Sequence, residues 1–157
     1  MSDWTVRRAE PGDAAAIVPL YEWLFAPPGS RPSGWDPELA LERLGGAIAS
    51  DRSAVFVAAS RDGDLLGLCT AYLDLLSVRY GSRCWVEDLV VDPERRSGGV
   101  GAALLAAARE WAAARGASHL ELDSGEARTD AHRFYDREGA ANRSFCFGWW
   151  LEDDRGY

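Results

Sequence analysis

The sequence of 157 residues contains no lysine, because all 17 of its basic residues are arginines. A Walker A loop needs a lysine to reach the phosphates, so the P-loop ATPases and GTPases are excluded. Chemistry through a lysine Schiff base, including the usual attachment of pyridoxal phosphate, is excluded for the same reason. Acidic residues outnumber basic ones and give a formal net charge of −8. This balance argues against nucleic acid or an anionic membrane as a partner.

Cysteine and histidine are also scarce. The three cysteines, Cys69, Cys84 and Cys146, form no C-x-x-C pair, and their odd number predicts a reduced, cytoplasmic protein. Two histidines, His119 and His132, are too few for a histidine-rich metal site, so we expect no metal. No basic region followed by an apolar stretch opens the chain, and no apolar run reaches 18 residues. We therefore expect neither a signal peptide nor a membrane-spanning helix.

What the sequence does contain is an alternation of strand and helix patterns. Its length and its hydrophobic fraction of 47% fit one domain over residues 1–157. The predicted order is β-α-α-β-β-β-α-β-α-β, a mixed α/β fold in which helices flank one sheet. The predicted strands span residues 4–8, 55–59, 65–76, 83–91, 119–123 and 143–151, and the later helices span residues 100–115 and 128–138.

Two further helices are predicted in the first third of the chain. Asp13 can cap the first of them, and Asp36, followed by a proline, can cap the second. The apolar faces are Ile17, Leu20, Tyr21 and Leu24 in the first helix, and Leu41, Leu44 and Ile48 in the second. A loop rich in proline and glycine, residues 27–34, separates the two helices.

The most informative segment is the run from Trp85 to Leu105, where a strand leads through a glycine turn directly into a helix. A helix N-terminus offers free amides and a positive dipole end, which suits a phosphate group. Gly98, Gly99 and Gly101 lack a Cβ and allow a close approach of the backbone. The alternative is an ordinary glycine turn. The dinucleotide fingerprint is excluded, because Leu104 stands where a third Gly or Ala belongs.

Arg96, Gly99 and Gly101 match the (Arg/Gln)-x-x-Gly-x-(Gly/Ala) motif of the GNAT superfamily of acyl-CoA N-acyltransferases. Further segments resemble the superfamily at its usual spacing: 87–91, 103–105, 120–124 and the A-x-x-F-Y-x-x-x-G run at 131–139. The resemblance is continuous from about residue 52 to residue 151. It implies the GNAT fold and an acetyl-CoA-dependent N-acetyltransferase that transfers the acetyl group directly, in a ternary complex.

The resemblance also implies which residues contact acetyl-CoA. The pyrophosphate lies on the amides of residues 96–101, and the pantetheine arm pairs with the strand at residues 89–91, where a bulge opens a slot. An amide there, that of Leu89, polarises the thioester carbonyl. Tyr135 matches the tyrosine that can protonate the sulfur. The full set of predicted cofactor contacts is Leu89, Val90, Val91, Arg96, Ser97, Gly98, Gly99, Val100, Gly101, Ser124 and Tyr135.

Glu87 and Asp88 are adjacent carboxylates within an apolar strand. Neighbours on a regular strand point to opposite faces, so the two are not expected to line one pocket together. A carboxylate in such a strand is costly unless it is satisfied, so at least one is a candidate site residue. Resemblance to the spermidine/spermine branch implies that Glu87 is the base for the acceptor amine. A structural salt bridge is the alternative, and the choice between Glu87 and Asp88 stays open.

The acceptor is less well determined. The pairs Gly139-Ala140 and Gly148-Trp149 resemble the spermidine/spermine branch, whereas residues 130–135 resemble the bacterial aminoalkylphosphonate acetyltransferases. These branches imply a polycationic and a zwitterionic amine respectively. The negative charge favours a small cation, such as a diamine, a polyamine or an aminoglycoside-like amine. The alternatives are protein N-acetylation and a noncatalytic module that binds or senses acyl-CoA.

Three secondary hypotheses complete the analysis. Residues 26–35, with the aromatic residues around them, are expected to form a wall that selects the acceptor. Trp149 and Trp150, on the last predicted strand, are expected to lie in the core and at the interface of a homodimer. Cys84 would be a nucleophile only if transfer were indirect, and it is more simply interpreted as a small buried hydrophobe.

Overall fold

The computed structural model describes residues 2–152, and its elements follow the predicted order up to residue 137. The strands are β1 (Trp4–Arg8), β2 (Ser53–Ser60), β3 (Leu65–Ser77), β4 (Gly81–Val91) and β5 (His119–Glu121). The helices are α1 (Ala14–Ile17), α2 (Tyr21–Phe25), α3 (Pro37–Ala49), α4 (Val100–Ala114) and α5 (Thr129–Arg137). In the described part of the chain, no helix is both long and apolar enough to cross a membrane.

The five strands form one sheet in the order β1-β2-β3-β4-β5. Neighbours from β1 to β4 are antiparallel, and β5 joins β4 in parallel after the crossover through α4. The α4-side core contains Leu104 and Ala108, whereas the opposite core, on the α1–α3 side, contains Ile17 and Leu44. Because helices cover both faces, β2 is buried along nearly its whole length. The predicted mixed α/β fold is confirmed.

The helix predicted after Asp13 is divided into short turns. Two α-helical turns, α1 and α2, are separated by a 3₁₀ turn that contains Pro19. Proline has no N–H to donate to the preceding turn, so a continuous α-helix is not favoured there. Asp13 does not cap α1. Its carboxylate accepts hydrogen bonds from Arg7 Nη1 at 2.7 Å and from the amide of Glu10 at 2.7 Å.

Local sequence predicts the start of α3 correctly. The Asp36 carboxylate accepts a hydrogen bond from the amide of Glu38 at 2.9 Å, and Pro37 occupies the first turn. Leu44 is buried as predicted, but Leu41 is 41% exposed. Leu41 borders a shallow hollow whose other wall contains Ala15. Because Leu41 lines this open surface hollow, the prediction that it points into the core is wrong.

The strand predicted at residues 143–151 is absent from the described structure. Residues 141–150 have no regular secondary structure and are exposed throughout. Trp149 is 80% exposed and Trp150 is 51% exposed, so their predicted place in the core is wrong. A strand is stable only when a neighbour completes its hydrogen bonds and covers its apolar face, and no strand in residues 2–152 pairs with this segment.

Candidate active site

The site forms where β4 and β5 separate. These strands pair only from Arg83 to Trp85 on β4, whereas β4 stays paired with β3 as far as Val91. Among residues 2–152, the edge of β4 that faces β5 is therefore unpaired from residue 86 to residue 91. An extended chain can add to such an edge through its backbone hydrogen bonds. The predicted pantetheine-binding residues, Leu89, Val90 and Val91, lie along this free edge.

A β-bulge at Glu87 changes which side chains share a face. Asp88 pairs with Thr70 on β3 and Val86 pairs with the next residue of β3, so Glu87 has no partner across the pair. Val86 accordingly packs in the α4-side core, whereas Val90 packs in the opposite core. A regular strand would place both valines on one face. The bulge lies within the strand where the family resemblance implies one.

Glu87 and Asp88 both influence the pKa values of the same two tyrosines. Burial, and then the charges of Asp88 and Glu87, raise the pKa values of Tyr21 and Tyr72. Cys84 and Val86 pack in the α4-side core, so Trp85 between them points to the opposite face. Glu87 bonds to Trp85, and Asp88 bonds to Tyr21 of α2, so both acids lie on the α1–α3 side of the sheet. The prediction that they point to opposite faces is wrong, because the bulge interrupts the alternation on which it was based.

Their local environments differ. Glu87 is exposed, and its Oε2 accepts a hydrogen bond from Trp85 Nε1 at 2.6 Å. Asp88 is half-buried, and its Oδ2 accepts hydrogen bonds from Tyr21 Oη and Thr70 Oγ1, each at 2.8 Å. Burial raises the pKa of Asp88, while the two hydroxyl donors act in the opposite direction. Glu87 is thus accessible to a ligand, whereas Asp88 connects α2 to the sheet through its hydrogen bond with Tyr21.

Sequence reasoning missed Tyr21 and Thr70 as partners of Asp88. The sequence pattern predicts Tyr21 on an apolar helix face and indicates no role for Thr70. The only available signal was the need of a carboxylate in an apolar strand for donors. The need for donors does not identify which hydroxyl groups, distant in the sequence, supply the hydrogen bonds.

The glycine turn forms the second part of the site. Ser97 and Gly99 both have positive φ values, 64° and 84°, and Gly99 is the N-cap of α4. No side chain caps this N-terminus. A Cβ on Gly98 would come within 3.2 Å of the Arg95 carbonyl oxygen, so only glycine fits without a shift. Residues 94–99 are exposed. The amides of Glu94 and Arg95 donate to Asp92, so the amides that can meet an anionic group are those from residue 96 onward.

Helix α5 packs against the start of α4. The Phe134 ring lies 3.5 Å from the position of a Cβ on Gly101, which brings α5 against the start of α4. The neighbouring Tyr135 is half-buried, and its ring centroid is 5.3 Å from that of Phe134. Burial, and secondarily the nearby Cys69, raise the pKa of Tyr135 to about 12. Cys69 lies on β3 at the register position of Leu89, so Tyr135 is near this stretch of the sheet.

A buried polar atom marks the cleft next to β5. Ser124 Oγ is buried and has no hydrogen-bond partner among the described residues. A buried hydroxyl without a partner is costly unless a ligand or water completes it. Together with the glycine turn and the free edge of β4, this hydroxyl fits the predicted CoA-binding residues.

Aromatic side chains form a wall on the α2 side. The ring centroid of Trp35 is 5.4 Å from that of Tyr21 and 4.8 Å from that of Phe25. Arg128, just before α5, donates from Nη2 to the Leu24 carbonyl oxygen at 3.0 Å. This contact connects the start of α5 to the end of α2, directly before the loop at residues 26–35. The aromatic cluster predicted around this loop is therefore present.

The environments of the remaining reactive side chains, Cys84 and His132, indicate structural roles. Cys84 is fully buried, and burial raises the pKa of its thiol to about 11, which disfavours a nucleophilic thiolate. His132 Nε2 lies 3.0 Å from the Gly125 carbonyl oxygen. Within residues 2–152, no group of three or more His, Cys, Asp or Glu side chains is arranged to hold a metal ion.

Comparisons with known proteins agree with this geometry. The family model described as "Acetyltransferase (GNAT) family" matches residues 17–140. An aminoglycoside N(6')-acetyltransferase type 1 of Stenotrophomonas maltophilia is 34% identical over 131 residues, 82% of this chain and 80% of the relative. An aminoalkylphosphonate N-acetyltransferase of Salmonella typhimurium is 36% identical over 89 residues, 57% of this chain and 58% of the relative. The solved structure of AAC(6')-Iy with the bisubstrate analogue CoA-S-monomethyl-acetylneamine has a TM-score of 0.80 at 19% identity, covering 96% of this chain and 99% of that one.

Proposed function

This chain belongs to the Acetyltransferase (GNAT) family and is an N-acetyltransferase, and we propose that it transfers the acetyl group of acetyl-CoA to a primary amine of a small cationic molecule. One observation carries the proposal. The free edge of β4 runs from the exposed carboxylate of Glu87 towards the open glycine turn, and the half-buried Tyr135 lies on α5, whose Phe134 contacts the start of α4. This arrangement supports our proposal that a base, a proton donor and a phosphate site share one cleft.

Three parts of the chain would hold acetyl-CoA. The amides of residues 96–101 suit its pyrophosphate, and the backbone of residues 89–91 can pair with its pantetheine arm. The buried hydroxyl of Ser124 can donate its unused hydrogen bond to the same ligand. Acetyl-CoA supplies the thioester that is to be cleaved. We propose that the Leu89 amide faces the carbonyl oxygen of that thioester.

Two side chains, Glu87 and Tyr135, would then accept and donate the protons of the reaction. A primary alkylamine has a pKa near ~10 and arrives protonated, so a base must accept a proton before nitrogen can attack. Glu87 would take this proton, directly or through water. The C–N bond forms as the C–S bond breaks. Tyr135 would give its hydroxyl proton to the departing sulfur and regain the second proton of the attacking nitrogen, directly or through water, so that CoA leaves as a thiol. Because the pKa of Tyr135 is raised to about 12, its hydroxyl keeps its proton at neutral pH.

Direct transfer is supported by the state of Cys84. Its buried, protonated thiol is a poor nucleophile, so no acetyl-enzyme on this residue is needed. We therefore propose that both substrates are bound together when the acetyl group moves.

The surroundings of the two carboxylates support a cationic acceptor. Tyr21, Phe25 and Trp35 form an aromatic wall next to Asp88, and aromatic faces attract ammonium groups. Glu87 adds a negative charge that is open to solvent. The relatives named for aminoglycosides and for aminoalkylphosphonates define two amine classes for comparison, and we favour the more cationic one.

Two further properties are part of the proposal. The free thiols of Cys69, Cys84 and Cys146 fit a reducing cytoplasmic location. The exposed aromatic residues of the C-terminal segment fit a homodimer.

The test is thiol release from acetyl-CoA with diamines, polyamines, aminoglycosides, aminoalkylphosphonates, amino acids and short peptides. We expect turnover with a polycationic amine class. Glu87→Gln should lower kcat/KM by roughly 10²–10⁴-fold and remove the acidic limb of the pH–rate profile. Asp88→Asn should keep that limb. If Asp88→Asn removes the limb and Glu87→Gln does not, the base has been assigned to the wrong carboxylate.

Tyr135→Phe tests the proton donor separately. We expect kcat to fall by about 10²-fold, because the departing sulfur loses its donor, while the Kd of acetyl-CoA changes little. Tyr80→Phe is the matched control, since Tyr80 is 59% exposed and far along the β3–β4 hairpin. Binding of acetyl-CoA without turnover on any amine would instead favour a noncatalytic acyl-CoA module.

A further inference from the structure

Helix α2 is too short to hold its own position. It has five residues, Tyr21–Phe25, and within residues 2–152 no side chain caps its N-terminus. An isolated helix of fewer than about 12 residues is marginal in water, and its last carbonyl groups have no partner inside the helix. Contacts with other elements must therefore fix α2, and with it the aromatic wall of Tyr21, Phe25 and Trp35.

One partly buried hydrogen bond holds each end of α2. At its start, Tyr21 Oη donates to Asp88 on β4 at 2.8 Å. At its end, Arg128 Nη2 donates to the Leu24 carbonyl oxygen at 3.0 Å. The first bond connects α2 to the strand that has the free edge, and the second connects it to α5, the helix that carries Tyr135.

Gly29 encloses the second of these bonds from the loop side. A Cβ on Gly29 would clash with the Leu24 carbonyl oxygen and would lie 2.5 Å from Arg128 Nη2. The φ of Gly29 is not positive, so it is the lack of space, and not the backbone conformation, that requires glycine. The amide of Gly29 donates to the Ala26 carbonyl oxygen at 2.8 Å, which keeps the loop in this place. We call Leu24, Gly29 and Arg128 the α2 latch.

The guanidinium of Arg128 also acts on Tyr135. Burial and, secondarily, Cys69 raise the pKa of Tyr135, whereas the positive charge of Arg128 acts in the opposite direction. Arg128 is the N-cap of α5, and Tyr135 follows about two helical turns later, so the two positions share one face of the helix. One side chain thus bonds to the end of α2 and lies near the hydroxyl of Tyr135.

We propose that Arg128 is a positioning residue for acetyl transfer, which holds the aromatic wall in a fixed place relative to Tyr135 through the α2 latch. The proposal rests on the proposed function and deepens it, because it identifies the residue that connects the acceptor wall to the proton donor. Without the latch, the end of α2 would separate from α5, and the amine would no longer be aligned for attack. A misplacement of about 1 Å can lower a rate by about 10²-fold.

Steady-state kinetics with the most active amine tests the latch from both of its sides. We expect Arg128→Ala and Gly29→Ala each to lower kcat/KM for the amine by about 10²-fold, including at least about tenfold in kcat, because a misplaced amine is bound without being aligned. The double variant should lose no more than either single variant, since both break the same contact. The Kd of acetyl-CoA, measured by calorimetry, should stay within about twofold of the wild-type value, which also shows that each variant is folded.

Two matched controls should behave as wild type. Arg137→Ala removes an exposed arginine from the last turn of α5, and Gly12→Ala adds a Cβ that meets nothing within 4 Å. A loss confined to KM, losses that multiply in the double variant, or an unchanged kcat/KM for Arg128→Ala would overturn the proposal.

Hydrogen exchange followed by mass spectrometry tests the latch without relying on catalysis. In Arg128→Ala, the amides of residues 21–29 should exchange at least about tenfold faster than in wild type, because the end of α2 opens more often, while those of α3 keep their rates. Unchanged exchange would overturn the latch, and faster exchange with unchanged kinetics would overturn the positioning role. If wild type acetylates no amine and exchange still rises in Arg128→Ala, the proposed function has failed and the latch has not.

Discussion

Asp88 combines two opposing influences at the scale of a single residue. Burial, with a contribution from Glu87, raises its pKa above the ordinary value of 3.8, although Thr70 and Tyr21 donate hydrogen bonds to it. The folded state therefore holds the Asp88 proton more tightly than the unfolded state does. The resulting stability is fully present below pH 3.8 and is lost as the pH rises through the folded-state pKa.

Asp88→Asn should remove this loss, because an amide does not ionise and its oxygen can still accept both hydrogen bonds. Between about pH 4 and about pH 7, the free energy of unfolding of the wild type should therefore fall relative to that of the variant. Denaturant unfolding at several pH values measures this difference. Asp62→Asn, in an exposed turn, is the control and should parallel the wild type. Parallel curves for Asp88→Asn would contradict the assignment.

The missed contacts of Asp88 show what a sequence pattern can and cannot supply. The pattern identified Asp88 as costly, since a carboxylate in an apolar strand needs donors. The donor Tyr21, however, lies 67 positions away in the sequence. The match between the hydroxyl and the carboxylate depends on how α2 packs on the sheet, and no local periodicity determines that packing.

At the scale of the element, the glycine turn before α4 can be tested through its conformation. Gly99 has φ of 84°, and an L side chain in the left-handed region costs roughly 1–2 kcal/mol. Gly99→Ala should lower the free energy of unfolding by about this amount and weaken acetyl-CoA binding by roughly tenfold, because the amides of the turn shift. Calorimetric binding and denaturant unfolding measure the two effects.

Gly46→Ala is the matched control. Gly46 lies inside α3, and a Cβ there would meet nothing within 4 Å. Alanine is a better helix former, so this variant should gain about 0.5–1 kcal/mol and leave acetyl-CoA binding unchanged. Equal effects of the two substitutions on binding would show that the left-handed turn is not part of the phosphate site.

Elements that depend on adjacent residues could be predicted from the sequence. Elements that depend on contacts between distant residues could not. The Asp36-Pro37 start of α3 and the glycine turn before α4 follow from a few adjacent residues. The bulge at Glu87 depends on the register between β3 and β4, which only the paired strands determine. Pro19 is a local signal for the division of the first helix, but the spacing of the apolar residues on either side of Pro19 favours one continuous helix.

At the scale of the whole molecule, the order of elements was enough to predict the fold. A strand, the α4 crossover and a parallel β5 determine where the sheet separates, and therefore where the site lies. The last strand was predicted from an alternation that is present in the sequence. Its neighbour is absent from the described chain, because pairing is a property of the assembled sheet and not of the segment.

The net charge of −8 gives the last prediction, which concerns the acceptor. A field of this sign concentrates cations near the protein, and salt screens it over about 10 Å at 0.1 M and about 3 Å at 1 M. Raising the ionic strength from about 0.05 M to about 0.5 M should therefore raise the KM of a polycationic acceptor by about threefold to tenfold. A zwitterionic aminoalkylphosphonate carries no comparable net positive charge, and its KM should change by less than twofold. Steady-state assays with both acceptors at fixed saturating acetyl-CoA measure the difference. Equal salt dependence for the two would mean that the aromatic wall and the adjacent carboxylates select the acceptor without help from the overall charge.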